Sequence, residues 1–256
     1  METSFLGMPD VTPWLFFAFA AASFCTTFIG VVTGTAGGLM LLAILAMVFP
    51  PVVLIPMHTL IMLGVGSSRA IIWRKFIMTG TIVPFSIGCI VGAVAGANIF
   101  ITLPTGILQG ILAIFIIFAV WVPSIGRIGS ERGRLVILGF AGSFFGMFVS
   151  ATGSLVGAIV ASAADDRRKF IATMGALMSI VHITKIVAFG ILGVAISTYL
   201  PLIAAMIATA ALANWSGGHT LARIKERWFR IAFRVFMTAL ALRLMWVAAN
   251  EMQLLG

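Results

Sequence analysis

Long stretches of this chain contain no charged residue, and polar residues interrupt them only briefly. Asp, Glu, Lys and Arg are absent from residues 11–68 and again from residues 76–126. Such stretches predict helices that cross a lipid bilayer, because the bilayer core holds no water to satisfy exposed backbone groups. The pattern divides into ten predicted helical segments: 13–33, 35–49, 52–73, 79–100, 104–122, 134–150, 152–164, 170–193, 197–215 and 228–249. We therefore predict an all-α polytopic membrane protein.

Two of these segments, 35–49 and 152–164, are short for a hydrocarbon core about 30 Å thick, since a helix rises about 1.5 Å per residue. Each follows a stretch rich in Gly, Ser and Thr. We name residues 34–38 the first break and residues 150–154 the second break. The pattern favours half-helices or re-entrant hairpins here, and leaves open whether the two segments span fully.

Composition and charge agree with a membrane location. Hydrophobic residues make up 61% of the 256 residues and charged residues 9%, where soluble domains have about 25% charged residues. The net charge of +9 comes mostly from Lys and Arg in the loops after the third, fifth, seventh and ninth segments. The positive-inside rule places these loops in the cytoplasm and both termini outside. We predict one compact transmembrane domain and no nucleic-acid partner.

An internal repeat follows from aligning the first break with the second. GTAGGL at 34–39 then lies on SATGSL at 150–155, Arg69 lies on Lys185 and Asn98 lies on Asn214, without a gap. We predict two repeats, residues 1–126 and 127–256, each of five helical segments. Because each copy has an odd number of membrane crossings, the second copy has the opposite membrane topology to the first. Such inverted repeats are an architecture of transporters that hold substrate near the midplane.

The two breaks are the first candidate substrate site. Glycine allows the helix to unwind, so that free backbone N–H groups and hydroxyls can bind an anion where the next helix starts. The alternative is close helix packing through small residues. The predicted substrate-binding residues of the breaks are Gly34, Thr35, Gly37, Gly38, Ser150, Thr152, Gly153 and Ser154.

The second candidate site lies at the end of the third segment and at its repeat, where we predict substrate binding by Ser67, Ser68, Arg69, Thr184 and Lys185. Lys185 stands inside an otherwise apolar run, where a cation requires compensation by a cavity, a counter-ion or a substrate. Arg69 is nearer its segment end and has snorkelling to the cytoplasmic face as an alternative role.

Histidines and asparagines inside the apolar segments have two interpretations each. His58 and His182 are candidate proton-coupling residues, because imidazole titrates near neutral pH, or else hydrogen-bonding packing residues. Asn98 and Asn214 occupy matching positions in the repeat, and we expect interhelical hydrogen bonds from both.

Carboxylates are absent from the middle of every predicted segment. A cation transporter or an Asp/Glu proton relay would place one there, so the deep positive charge favours an anionic substrate. A membrane enzyme would need a nucleophile–base pair or a His/Glu metal set within the spans. We therefore predict no catalytic residue, no metal site and no cofactor.

Several stretches resemble the sulfite exporter TauE/SafE family of membrane transporters. They are GVVTGTAGGL at 30–39, the pair Pro50-Pro51, SIGCIVGAVAGANI at 86–99, LGFAGSFFGMFVSATGSLVG at 138–157 and GGHTLARIKERWFRIAFRVFMTALALRLMW at 217–246. The resemblance covers nearly the whole chain. It implies movement of sulfite, thiosulfate, sulfoacetate and similar anions across a bacterial inner membrane. SATGSL at 150–155 and DDRRK at 165–169 depart from the family pattern, and the first departure bears on substrate choice.

Together these features predict a secondary transporter that moves a small sulfur-containing or organic anion by alternating access. The alternative is a passive anion channel. The predicted partners are the anion and the lipid bilayer. The sequence leaves open the identity of the anion, the direction of transport, the coupling ion and the oligomeric state, a homo-oligomer included.

Overall fold

The computed structural model of the chain describes residues 5–33, 36–121, 132–149, 153–194, 196–217 and 226–253. Within these residues the fold is helical, apart from one isolated β-bridge between Phe5 and Met8. The described helices are α1 (Pro13–Thr33), α2 (Ala36–Leu45), α3 (Pro51–Ile72), α4 (Ile82–Phe100), α5 (Thr105–Trp121), α6 (Arg132–Val149), α7 (Gly153–Ala163), α8 (Arg167–Ile191), α9 (Leu200–Gly217) and α10 (Glu226–Gln253).

Each of the ten predicted segments coincides with one helix. The largest differences, of four residues each, are at α2, which ends at Leu45 rather than at residue 49, and at α10, which ends at Gln253 rather than at residue 249. Residues 46–49 turn instead towards Pro50, and Pro51 begins α3, a position where the missing N–H of proline is no loss. Asp166 caps α8 by accepting a hydrogen bond of 3.1 Å from the backbone N–H of Arg168, which fixes the start of that helix.

Five stretches of the described chain are long and apolar enough to cross a membrane: Pro13–Val31, Pro51–Ile72, Thr79–Phe100, Arg168–Ile191 and Ser197–Gly217. By contrast, α2 has 10 residues and α7 has 11, which at 1.5 Å per residue gives each a length of about 15 Å. Neither helix crosses a bilayer alone. The prediction of a multi-pass, all-helical membrane protein is confirmed, with short second and seventh helices.

The centre of the bundle is the contact between α3 and α8. Gly66 and Gly175 meet there so closely that a Cβ on Gly175 would lie 2.9 Å from the carbonyl oxygen of Gly66 and from the backbone nitrogen of Ala70. Gly66 also lies against Ser179. Residue 66 of α3 therefore lies beside residue 179 of α8, and residue 70 of α3 lies beside residue 175 of α8. The two helices are antiparallel where they cross.

Several of the other helix contacts come in matched pairs. Helix α4 packs on α6 as α9 packs on α1, and α4 packs on α8 as α9 packs on α3. Helices α5 and α10 also pack on each other. Exchanging the first five helices for the last five leaves these particular contacts unchanged. The contacts of α6 with α8 and with α5 have no counterpart of similar extent among the described residues, so the helix packing of the two halves is matched in part.

The two ends of the α3–α8 pair differ in chemistry. At one end the guanidinium carbon of Arg168 lies 6.0 Å from the ring centre of Trp73 and 5.6 Å from that of Phe76, so two of the basic loops are neighbours. Lys169 pairs with Asp165 there at 2.9 Å, and this hydrogen bond lowers the pKa of the exposed Asp165 carboxyl.

At the opposite end, aromatic rings close the bundle. The rings of Phe100 and Phe189 are 5.2 Å apart, and those of Phe49 and Tyr199 are 5.5 Å apart. All four residues belong to the main buried cluster. One end is thus joined by cations on aromatic faces, and the other by apolar packing.

Candidate functional site

The start of α2 lies pressed against α1. A Cβ on Gly37 would be 2.2 Å from the carbonyl oxygen of Thr26 and 2.9 Å from Cα of Gly30. Real Cβ atoms do not approach so closely, so this position admits only glycine while α2 keeps its place. The described part of the first break thus brings the N-terminus of a short helix into the interior, whereas Gly34 and Thr35 lie outside the described residues.

His58 of α3 is hydrogen-bonded to Gly38 of the first break. Its Nε2 lies 2.9 Å from the carbonyl oxygen of Gly38, and because a carbonyl only accepts, Nε2 is the donor. The side chain of His58 is fully buried. The packing interpretation of this histidine is therefore satisfied by a real hydrogen bond, and the same bond places the imidazole at the start of α2.

Lys185 and His182 of α8 complete a buried basic group with His58. The relative exposures are 0% for Lys185 and His58 and 2% for His182. Lys185 interacts electrostatically with both histidines, and the histidines interact with each other. We name these three residues the basic cluster. Within the described part of the chain, Nδ1 of His182 has no hydrogen-bond partner.

Arg69 has a different environment. Its Nε donates to Oδ1 of Asn214 on α9 at 3.0 Å, and one terminal nitrogen, Nη2, lies 3.6 Å from where a Cβ of Gly30 would stand. The side chain is half-buried. The guanidinium therefore points into the protein beside the first break, and is held there by a neighbouring helix.

The predicted hydroxyls mainly join helices. Ser67 lies 3.3 Å from Ser179 across the α3–α8 contact, and Thr184 lies 3.2 Å from Ser143 of α6. Ser68 accepts a hydrogen bond of 2.7 Å from Asn214. These side chains hold α3, α6, α8 and α9 around the basic residues. Their role as direct substrate ligands stays a prediction.

The second break differs from the first. Among the described residues, no atom lies within 4 Å of a Cβ built on Gly153, whereas a Cβ on Gly37 would overlap its neighbours. Ser150 and Thr152 lie outside the described residues, and so does the side chain of Ser154. Helix α7 packs on α8 and α6, as α2 packs on α3 and α1. Helix α7 therefore occupies the place in the second half that α2 occupies in the first half.

The structure therefore brings Gly37 and Gly38 of the first break together with His58, His182 and Lys185, with Arg69 beside them. Sequence reasoning missed Gly30, whose lack of a side chain makes room for both Gly37 and the guanidinium of Arg69. It also missed Ser179, although the Gly175-x-x-x-Ser179 spacing is a known helix-packing pattern. The expected interhelical bonds are present at Asn214, but not at Asn98, which is exposed and donates to Val94 of its own helix.

The acidic side chains that the structure describes, those of Asp10, Asp165 and Asp166, lie before the first helix or between helices. The interior of the described bundle is therefore positively biased. It also offers the N-terminus of α2, whose first N–H groups have no partner within the helix and carry a partial positive charge. This arrangement is chemically suited to an anion and unsuited to a metal cation.

Comparison with known proteins gives one match. The family model described as Sulfite exporter TauE/SafE matches residues 19–244, which include both breaks and every residue of the basic cluster. No curated protein and no solved structure matches the chain. The resemblance inferred from the sequence motifs is thereby confirmed.

Proposed function

Because the chain belongs to the sulfite exporter TauE/SafE family, we propose that it is a secondary transporter for a small sulfur-containing or organic anion. The substrate is of the sulfite, thiosulfate or sulfonate type, and the membrane crossed is the bacterial inner membrane. The observation that carries this proposal is the basic cluster of His58, His182 and Lys185, which is buried between α3 and α8.

Charge compensation supports an anionic substrate. Moving an ammonium ion from water into a medium of low dielectric constant costs on the order of 20 kcal/mol in the idealised limit, so a buried Lys185 requires stabilising groups around it. Helices α3 and α8 contain no Asp or Glu. An anion about 4 Å away would contribute about 4 kcal/mol at an effective dielectric constant of 20. A cationic substrate would instead add repulsion.

The start of α2 supports a binding place next to the cluster. Backbone N–H groups at a helix N-terminus bind anions without a full counter-charge, and Gly37 and Gly38 bring these groups to His58. In our proposal the anion exchanges its water shell for these N–H groups, for Thr35 and for the cations. The second break, with Ser150, Thr152, Gly153 and Ser154, serves as the matching half-site.

Inverted repeats supply the mechanism in this proposal. The two halves, residues 1–126 and 127–256, have matched helix contacts, and α3 and α8 run antiparallel where they cross. Both features are expected of two copies related by an axis in the membrane plane. Alternating access then arises when one copy rocks against the other around the bound anion.

Membrane orientation follows from the same proposal. The basic loops face the cytoplasm and both termini face outside, in line with the positive-inside rule. The contact of Arg168 with Trp73 and Phe76 supports this, because it puts two of these loops at one end of the bundle. His58 and His182 are the proposed proton-coupling groups.

Flux measurements in proteoliposomes test the proposal. We expect the purified protein to move sulfite, thiosulfate or a sulfonate, and to accumulate it against its gradient when a pH gradient is imposed. Chloride and potassium serve as control ions. Equilibration of the anion without accumulation would indicate the passive channel instead. Absence of flux for all three anion types would contradict the proposed function.

A further inference from the structure

Asn214 joins α9 to α3 at the level of Arg69. Its Nδ2 donates to Oγ of Ser68 at 2.7 Å and to the carbonyl oxygen of Val65 at 3.2 Å, while its Oδ1 accepts from Nε of Arg69 at 3.0 Å. The side chain is 7% exposed. Both ends of the amide are therefore engaged, so its orientation is fixed by its partners.

This contact uses one nitrogen of the guanidinium and leaves the fork of two terminal nitrogens. Within the described residues, neither Nη of Arg69 has a hydrogen-bond partner. Nη2 lies 3.6 Å from where a Cβ of Gly30 would stand, and the same Cβ would lie 3.1 Å from Cα of Gly37. Gly30 therefore lies between the guanidinium fork and Gly37 of the first break. Because it has no side chain, nothing of Gly30 fills the space between them.

We propose that Asn214 is a positioning residue that aims the guanidinium fork of Arg69 at the anion bound beside the first break. This inference rests on the proposed transport function. A guanidinium fork binds two oxygens of one oxyanion in parallel, which a lysine ammonium does not do. The arrangement therefore selects sulfite and sulfonate groups, with several oxygens on one sulfur, over a spherical halide.

The second half lacks this device. Asn98 occupies the matching position, but it is exposed and donates to Val94 of its own helix at 2.8 Å. Lys185, at the position that matches Arg69, has the histidines as neighbours instead. Asn98 therefore provides a matched control for any substitution of Asn214.

The test is a double-mutant cycle on sulfite transport in proteoliposomes, with KM and Vmax measured separately. We expect Asn214→Leu to raise KM about tenfold and to leave Vmax within about twofold, because the ground-state grip on the anion is lost. Arg69→Lys keeps the charge and removes the fork, so it has a similar effect. The double variant shows no further rise, since Asn214 acts through Arg69. Asn98→Leu stays near the wild-type KM.

Ser68→Ala keeps the inference testable if Asn214→Leu fails to fold. It removes one anchor of the amide, and we expect it to raise KM about threefold, in keeping with the loss of one hydrogen bond. A purely structural Asn214 predicts a lower unfolding temperature with unchanged KM, and effects that add to those of Arg69→Lys.

Three results would overturn the inference: a wild-type KM in Asn214→Leu or, if that variant does not fold, in Ser68→Ala; additive effects in the double variant; or an equal rise of KM in Asn98→Leu. In each case wild-type transport of sulfite shows that the proposed function stands. If the wild-type protein moves none of the tested anions, the proposed function fails and this inference fails with it.

Discussion

Arg69 and Lys185 occupy matching positions in the proposed repeat, yet their surroundings differ. Arg69 is half-buried and bonded to Asn214 of a neighbouring helix. Lys185 is fully buried and interacts electrostatically with two histidines, one of which is bonded to Gly38 of the first break. A cation held in place by a side-chain amide is suited to orient a ligand, whereas a cation among basic groups is suited to attract negative charge.

The two breaks show the same division. Gly37 of the first break has no room for a methyl group, whereas no described atom lies within 4 Å of a Cβ on Gly153 of the second break. A tightly packed helix start keeps its N–H groups in one place. Under the proposed function, this difference assigns different tasks to the two halves: Arg69 of the first half orients the anion, and Lys185 of the second half supplies the buried positive charge.

Removing the positive charge of Lys185 is expected to have the largest effect on transport. Lys185→Met keeps the length and apolar stem of the side chain, so we expect a folded protein whose kcat/KM for sulfite falls about 100-fold, in line with the loss of a buried charge contact. Arg243→Met is the control, because Arg243 is exposed and donates to the carbonyl of Met47. Equal transport by the two variants would remove Lys185 from the site.

Adding a methyl group at Gly37 of the first break is expected to have the next largest effect, on both stability and transport. We expect Gly37→Ala to destabilise the protein by about 2–3 kcal/mol, the usual range for overpacking, and to lower transport because α2 must move away from α1. Gly153→Ala meets no atom and leaves the unfolding temperature unchanged. Thermal unfolding in detergent compares the two variants. Equal stability would show that the breaks are packed alike.

Substitution of the two histidines is expected to have smaller effects. The unfolding temperature should rise for one histidine and fall for the other. Nδ1 of His182 has no hydrogen-bond partner among the described residues, and a buried polar atom left without one costs about 1–3 kcal/mol. His182→Leu is therefore expected to raise the unfolding temperature by a few degrees while it reduces accumulation driven by a pH gradient. His58→Leu loses the bond to Gly38 and lowers the unfolding temperature. A stability loss in both variants would contradict this account.

Much of the fold follows from the sequence because the bilayer restricts the chain to helices. Uncharged stretches predicted the helices to within a few residues at most ends, and Pro51 and Asp166 show why α3 and α8 begin where they do. The end of α2 was predicted too late, because residues 46–49 are apolar enough to continue a helix. Their turn follows from the packing at the Pro50–Pro51 corner, which hydropathy does not register.

The site was predictable in its residue types but not in its pairings. Lys185, His58 and His182 could be singled out in the sequence because burying a polar group in an apolar segment is costly. The bond of His58 to Gly38 and that of Asn214 to Arg69 depend on which faces of distant helices meet. So does the difference at Asn98, which bonds to its own helix and to no other helix in the described part of the chain. The repeat predicted equal roles for the two asparagines, and tertiary packing made them different.

Sulfite binding to purified wild-type protein and to Lys185→Met tests the central claim most directly, with thermal unfolding in detergent as the measurement. A ligand that binds the folded form raises the unfolding temperature in a saturable way, with about 2.7 kcal/mol of stabilisation at 100 times Kd. We expect saturable stabilisation of the wild-type protein by sulfite and none of Lys185→Met. Equal stabilisation of both proteins would contradict an anion held by the buried lysine.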